Sequence, residues 1–461
     1  MKKMLWGGRF SASPSEAMID FNSAENIGLD QRLVPYDILG SLAHISMLKE
    51  QGILSEEEHV QIASALKRLH SDWRQGAFKL RKELEDVHMN VEHAVTEMTP
   101  AGKKMHTARS RNDQVLLDMR LYMREGTLQA LSALSSLRGA LQKLSLKDGP
   151  MVSYTHTRIA QPITVSFWCE AWYDSFARDM ERLKDLYTRV NRCPLGAGAI
   201  AGTSWKIDRK IVAKMLAFEN VQENELDTIS SRGECEAELL SALSIVMCKL
   251  SRLSEELIWL SEKSLISIAE EHTTGSSMMP NKKNPDVLEL IRGRAGRLYG
   301  HLTHCLVSLK GLMGGYNSDM QETKYAVMGG LDSAISSIDA ATMVLSGLAF
   351  DHGRIALELE RGFAQATEIA DHLARHGIPF REAHHRMGAL VKKCEAEGKT
   401  ISGLGAEEAS AELGLQISEG RWGALKCHDR TRLKRKLSLV KDGFAQKETE
   451  KISKAYEELL A

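Results

Sequence analysis

Leu239-Leu-Ser-Ala-Leu243-Ser-Ile-Val246-Met-Cys-Lys-Leu250-Ser-Arg-Leu253-Ser-Glu-Glu-Leu257-Ile-Trp-Leu260 sets apolar residues at alternating intervals of four and three. Held over roughly six turns, that spacing predicts a heptad-like helical seam, made to pack against other helices. No proline falls between Pro194 and Pro280, which leaves room for an unusually long helix. Val165, Trp168, Trp172, Phe176, Met180 and Leu183 form a second stripe, and Leu134, Leu137, Leu141 and Leu144 a third. Convincing alternating strands are scarce. These stripes predict an all-α chain built around a long central helical bundle, and exposed seams on such rods bury by oligomerising.

The stretch that follows the seam is of another kind. Gly275-Ser276-Ser277-Met278-Met279-Pro280-Asn281-Lys282-Lys283-Asn284-Pro285 reads as a loop, because glycine and serine favour no helix and the two prolines break one. Beyond it a helix is expected, with Asn284 as N-cap, Pro285 in the first position and Asp286 at the positive end of the dipole. Hydroxyls and lysines feeding a helix start suit a small anion.

The whole chain has 461 residues, which suggests two or three domains, and its 43% hydrophobic and 26% charged content is ordinary for a globular protein. Lys+Arg 60 against Asp+Glu 61 leaves no electrostatic footprint for nucleic acid. Seven scattered cysteines without a Cys-x-x-Cys pair argue for reduced thiols, against a disulfide framework and against a zinc site. Met-Lys-Lys-Met-Leu-Trp-Gly-Gly at the start has no apolar run to make a signal peptide, and no window is long enough for a membrane span. A cytoplasmic location is the expectation.

Residues 1–30 look irregular, with Gly7-Gly8, Pro14 and Asn22-Ser23 as turn formers. Helical stretches follow to about 107: Ser55…Glu58 has capping-box spacing, and Val87, Val91 and Val95 make a stripe ended by Pro100-Ala101-Gly102. After about 355 the pattern shortens, to Ala366–Arg375 and Arg381–Glu397. Beyond 398, Arg430, Arg432, Lys434, Arg435 and Lys436 lie near acidic Glu448, Glu450, Glu457 and Glu458 and read as a solvated helical face.

Three polar runs carry chemistry. Met105-His-Thr-Ala-Arg109-Ser110-Arg111-Asn112-Asp-Gln114 offers two guanidinium groups able to grip carboxylates, with Ser110 and Asn112 as further donors. Its plainer reading is a helix start with a salt-bridged rim. Ser153-Tyr-Thr155-His156-Thr-Arg-Ile-Ala-Gln-Pro162 puts a histidine in a polar, loop-like setting where an acid or base is useful, before Pro162 opens another helix. Tyr316-Asn-Ser-Asp-Met-Gln321-Glu-Thr-Lys324 by itself looks like a turn and an exposed helix start.

Taken together these runs resemble the argininosuccinate lyase family of the fumarate-releasing superfamily, which also includes fumarase and aspartase. The resemblance extends to Leu5-Trp6-Gly7-Gly8-Arg9-Phe10, Glu85-Asp86-Val87-His88, Tyr154-Thr155-His156, Pro194-Leu195-Gly196 and Ala199-Ile200-Ala201-Gly202, and it covers the chain to roughly residue 385. It implies a three-domain, nearly all-helical subunit: 1–109, a central bundle over 110–357 that makes a homotetramer, and 358–461. Each site would draw on three chains. The implied reaction splits argininosuccinate into arginine and fumarate, with no metal or organic cofactor and no nucleic-acid or membrane partner.

By the same resemblance Ser276 takes the proton, His156 is the general acid for the leaving guanidino group, and Glu289 orients it. Backbone amides and Lys282 would stabilise the serine anion. Lys282, Asn284, Ser110, Asn112 and Thr155 match positions that hold the fumarate part, with Arg111 beside them; Tyr316, Gln321 and Lys324 match those for the arginine part. The chain departs from the pattern at Asn26, a further expected substrate contact where the family has serine, and at Gly233, where Ser-x-Arg-Asp becomes Ser230-Ser231-Arg232-Gly233 with Glu234 one position over. Trp205-Lys206 and the absence of a Gly-Gly turn near the end are further departures. All of them touch the amine half or the frame. A sibling lyase acting on another N-substituted aspartate, and a non-catalytic scaffold like the family's lens crystallins, are the alternatives.

Overall fold

The computed structural model describes residues 15–428, 430–438 and 443–461. The Leu5–Phe10 motif and Gly7, Gly8 and Pro14 therefore lie outside the described residues. Four helices come first: α1 (Glu16–Asp30), α2 (Val34–Glu50), α3 (Glu56–Arg74) and α4 (Val87–Met98). The expectation of irregular chain to residue 30 is corrected by α1. Ser15 caps it by accepting from the Met18 amide, and within it only Gly28 is a strong helix breaker. The Ser55–Glu58 capping box on α3 is present in both directions.

The middle of the chain holds α5 (Arg111–Ser145), α6 (Val165–Val190), the short α7 (Arg209–Met215) and α8 (Glu225–Ser230), then α9 (Glu234–Glu262), α10 (Asp286–Leu309) and α11 (Thr323–Ser346). All seven seam residues of α9 are buried, the most accessible at 1%. Each such leucine contributes about 1.5–3 kcal/mol by leaving water, so this face fixes α9 among α6, α10 and α11. Trp168 and Trp172 on α6 donate their indole N–H groups to Glu256 of α9 (2.9 and 3.2 Å), satisfying polar edges at the helix contact. Strands are only pairs of residues, such as Ile266–Ser267 against Ala349–Phe350.

A second, smaller core, in which Trp422 and Leu413 are fully buried, joins α13 (Ala366–Arg375), α14 (Phe380–Glu397), α15 (Ala406–Leu413) and α16 (Glu419–Lys426) beyond the linking α12 (His352–Arg361). The last helix, α17 (Phe444–Leu460), returns to the main body, burying Ile452 in the large core. The basic run is not a helical face: residues 434–438 have no regular secondary structure, Arg430 pairs with Glu368 (2.9 Å) and Arg435 with Glu170 (2.8 Å). Charge run alone did not reveal that its partners sit on other helices. No disulfide joins cysteines among the described residues. No helix among the described residues is long and apolar enough to cross a membrane.

Candidate active site

Ser110 begins α5 as its N-cap, its hydroxyl accepting from the Asn112 amide (3.2 Å), and Asp113 returns a carboxylate oxygen to the Ser110 N–H (3.0 Å). The other Asp113 oxygen accepts from Gly196 and Gly198 (2.9 and 2.8 Å), which ties the 194–202 loop to the helix start. Gly198 sits at φ +63°, and a Cβ there would meet the Gly202 carbonyl at 2.5 Å, so only glycine fits. Burial raises the Asp113 carboxyl to about 6. Three backbone N–H groups on Asp113 make it the residue that joins the helix start to this loop.

Asn26, Arg111, Asn112, Tyr316, Gln321 and Lys324 share one cleft of about 680 Å³ at this end of the bundle, so six of the expected substrate contacts converge in one chain. Their states differ from expectation. Arg111 spends its guanidinium on the protein's own carboxylates, donating Nε to Asp86 (2.8 Å) and Nη1 to Glu85 (3.0 Å). Asn26 donates its amide to the Asn22 carbonyl of its own helix (3.2 Å). Lys324 is no exposed helix start: it is 2% exposed and pairs with buried Asp30 at 2.6 Å, while Asp30 also accepts from the Val87 N–H (3.1 Å). Lys324→Met strands that carboxylate, and a loss of about 3–5 kcal/mol in stability is expected, read as a lower denaturation midpoint. The double change Lys324→Met, Asp30→Leu should recover much of it.

Gln321 donates to the Tyr316 hydroxyl (3.0 Å) and accepts from Arg232 (3.4 Å). Gly233 has φ +97°, and a Cβ there would strike Leu309 at 2.4 Å, so this position takes no aspartate. The nearby carboxylate is Glu236, not Glu234: it accepts from the Gly233 N–H at 2.9 Å.

His156 occupies the tip of a two-residue hairpin joining Tyr154–Thr155 to Arg158–Ile159. His156 and Thr157 both have positive φ, 53° and 61°, the signature of a type I′ turn. For threonine that conformation is strained. The imidazole and Thr155 are thus held out from the body on a short rigid arm, and both are exposed. Pro162 does not open the next helix; Thr164 caps α6.

The signature loop has a pinned neck. Thr274 and Asn284 exchange backbone hydrogen bonds (3.0 and 2.7 Å), and Thr274 donates its hydroxyl to Asp286. Asn284 is therefore not the N-cap, a place taken by Pro285; its backbone groups are committed to the neck. Between these pins Ser276 Oγ accepts from the Met278 and Met279 amides (3.3 and 3.0 Å). Lys282 is exposed, Lys283 pairs with Glu270, and Glu289 lies exposed on the first turns of α10, 3.6 Å from Arg292.

Neither the hairpin nor the loop meets the cleft of its own chain. α5 has 35 residues, about 52 Å. Arg120 donates to the Arg189 carbonyl and Arg138 to that of Tyr173, so α6 runs antiparallel beside it and begins beyond its far end, where Thr164 pairs with Pro150. Six residues of extended chain reach at most about 21 Å, which keeps His156 roughly 30 Å or more from Arg111. The signature loop and Tyr316 likewise lie at opposite ends of the 24-residue α10, about 36 Å. No hydrogen bond among the described residues joins the His156 hairpin to the loop.

Comparison with known proteins follows the same lines. The family described as "Lyase" matches residues 8–300, and "Argininosuccinate lyase C-terminal" matches 363–425. Argininosuccinate lyase of Moorella thermoacetica is 44% identical over 409 residues, 88% of each chain. That of Lactococcus lactis subsp. cremoris is 41% identical over 449 residues, 96% of each. Among solved structures, EDDS lyase in complex with formate superposes with a TM-score of 0.78 at 28% identity, covering 93% of this chain and 87% of that one. A class II fumarase from Schistosoma mansoni has the same fold at 15% identity, TM-score 0.74, covering 87% and 90%. On these matches over most of its length, this chain belongs to the argininosuccinate lyase family.

Proposed function

We propose that the protein splits argininosuccinate reversibly into arginine and fumarate, as a homotetramer in the cytoplasm, with the chain divided at about residues 109 and 357. The observation that carries the chemistry is Ser276 Oγ accepting two backbone N–H groups. Hydrogen bonds to the charged form favour an alkoxide, and an alkoxide is a base strong enough for the weakly acidic proton beside a carboxylate. Removal of that proton leaves a doubly negative carboxylate, which Lys282, Asn284, Ser110, Asn112 and Thr155 stabilise. Electrons then return to form the carbon–carbon double bond as the C–N bond breaks, and His156, oriented by Glu289, protonates the departing guanidino nitrogen. The cleft of Tyr316, Gln321 and Lys324 holds the arginine part. Side chains and backbone amides supply every step, so no metal or organic cofactor is required.

Geometry supports the oligomer. A chain whose acid and base lie far from its own cleft completes a site only with copies of itself. Exposed Leu290 (59%), Leu306 (52%), Val307 (56%) and Tyr325 (55%) on α10 and α11 supply apolar surface for such contacts. The test is fumarate release, followed by ultraviolet absorbance, from argininosuccinate, adenylosuccinate and aspartate in parallel. Release from argininosuccinate alone is expected; release only from another N-substituted aspartate would reassign the amine.

A further inference from the structure

Behind the cleft lies a cluster that this chemistry does not use. His88, which lines the cleft wall and is 4% exposed, donates Nδ1 to Asp37 Oδ2 at 2.5 Å. Gln114 donates to the same oxygen at 2.7 Å. Asp118 is fully buried with its Oδ2 3.6 Å from His88 Nδ1, and neither of its oxygens, nor Asp37 Oδ1, has a hydrogen-bond partner. Three orphaned carboxylate oxygens in one dry cluster are costly if both acids are ionised. The ligand atoms of Asp37, His88 and Asp118 lie within 4.8 Å of one another, which is metal-like spacing. Yet His88 Nδ1 is already a donor to Asp37, and the Arg109 guanidinium acts on both carboxylates, so a further cation is disfavoured.

We propose that Asp37 and Asp118 share one proton, and that this acid pair positions His88 and through it the floor of the substrate cleft. An O–H on Asp118 donating to Asp37 Oδ1 removes orphans on both residues and leaves one negative charge facing His88. His88 Nε2, which carries no hydrogen bond among the described residues, is thereby turned away from Asp37. The ring also fixes the start of α4, whose Asp86 and Glu85 hold Arg111 and whose Val87 N–H holds Asp30, the partner of Lys324. Burial and the Asp37 charge push the Asp118 carboxyl well above the carboxylate range, while at Asp37 burial is outweighed by the His88 and Arg109 neighbours, which hold it below its ordinary value. The charged and titratable groups facing the pair are Asp30 from α1, His88 and Glu92 from α4, and His106 and Arg109 before α5.

The sign follows. The folded state holds a proton on Asp118 that the unfolded chain releases in the ordinary carboxylate range. As pH rises through the folded-state value, a second buried charge appears and substrate binding declines.

The role in binding rests on the proposed lyase reaction; the shared proton does not, and an infrared spectrum reads it without substrate. At neutral pH the wild type should show a protonated-carboxyl carbonyl stretch that Asp118→Asn lacks. In kinetics, Asp118→Asn should abolish the alkaline rise in KM. Asp118→Leu, which offers Asp37 no donor, should raise KM about tenfold at every pH with a smaller change in kcat. An infrared spectrum unchanged in Asp118→Asn overturns the shared proton, as does one Zn²⁺ or Mn²⁺ bound per chain and lost in that variant. A lost band with an unchanged pH profile of KM overturns the positioning role.

Discussion

Ser276→Ala is expected to lower kcat for argininosuccinate by roughly four orders of magnitude, about 5.4 kcal/mol in the barrier, while substrate binding changes little. The hydroxyl is small and half-buried, and its only hydrogen bonds among the described residues come from the Met278 and Met279 amides. Its removal leaves the Thr274–Asn284 neck and the Thr274–Asp286 contact intact, so the loop keeps its anchoring while the proposed catalytic base is gone. Stopped turnover with normal equilibrium binding of argininosuccinate is the signature. Turnover within tenfold of wild type would remove Ser276 from proton abstraction.

His156→Asn is expected to have the second largest effect, a fall in kcat of about 10²- to 10⁴-fold, the range for a positioned general acid. Asparagine suits this test because it adopts positive φ readily. The turn at φ 53° survives, and the loss reports the imidazole and not a collapsed hairpin. The deficit should shrink for a substrate whose leaving nitrogen needs no protonation. A uniform deficit across leaving groups would point to a binding role.

The helical bundle was legible because its signal is periodic: the α9 seam, the α6 stripe and the α5 stripe are all on buried faces. The helix at residues 16–30 was not, since polar turn formers hid a stretch that Ser15 caps and that buries Ser23 and Asp30. Site residues were legible as motifs, and their burial was not. Nothing local in Tyr316–Lys324 signals that Lys324 is sealed against Asp30, a partner 294 positions away. Arg111 was expected to grip substrate, and the carboxylates it grips are on the turn that begins α4. Long-range pairing of charges follows the fold, which residue spacing alone does not encode.

The most direct measurement mixes the two inactive variants. Ser276→Ala and His156→Asn are purified apart, dissociated, combined and reassembled, and fumarate release from argininosuccinate is followed beside each variant reassembled alone. Sites built from several chains predict that only the mixture regains activity, because some hybrid sites draw an intact Ser276 from one chain and an intact His156 from another. A mixture as inactive as its parents, with hybrid assemblies demonstrably formed, would place both groups in one chain's site and contradict the account.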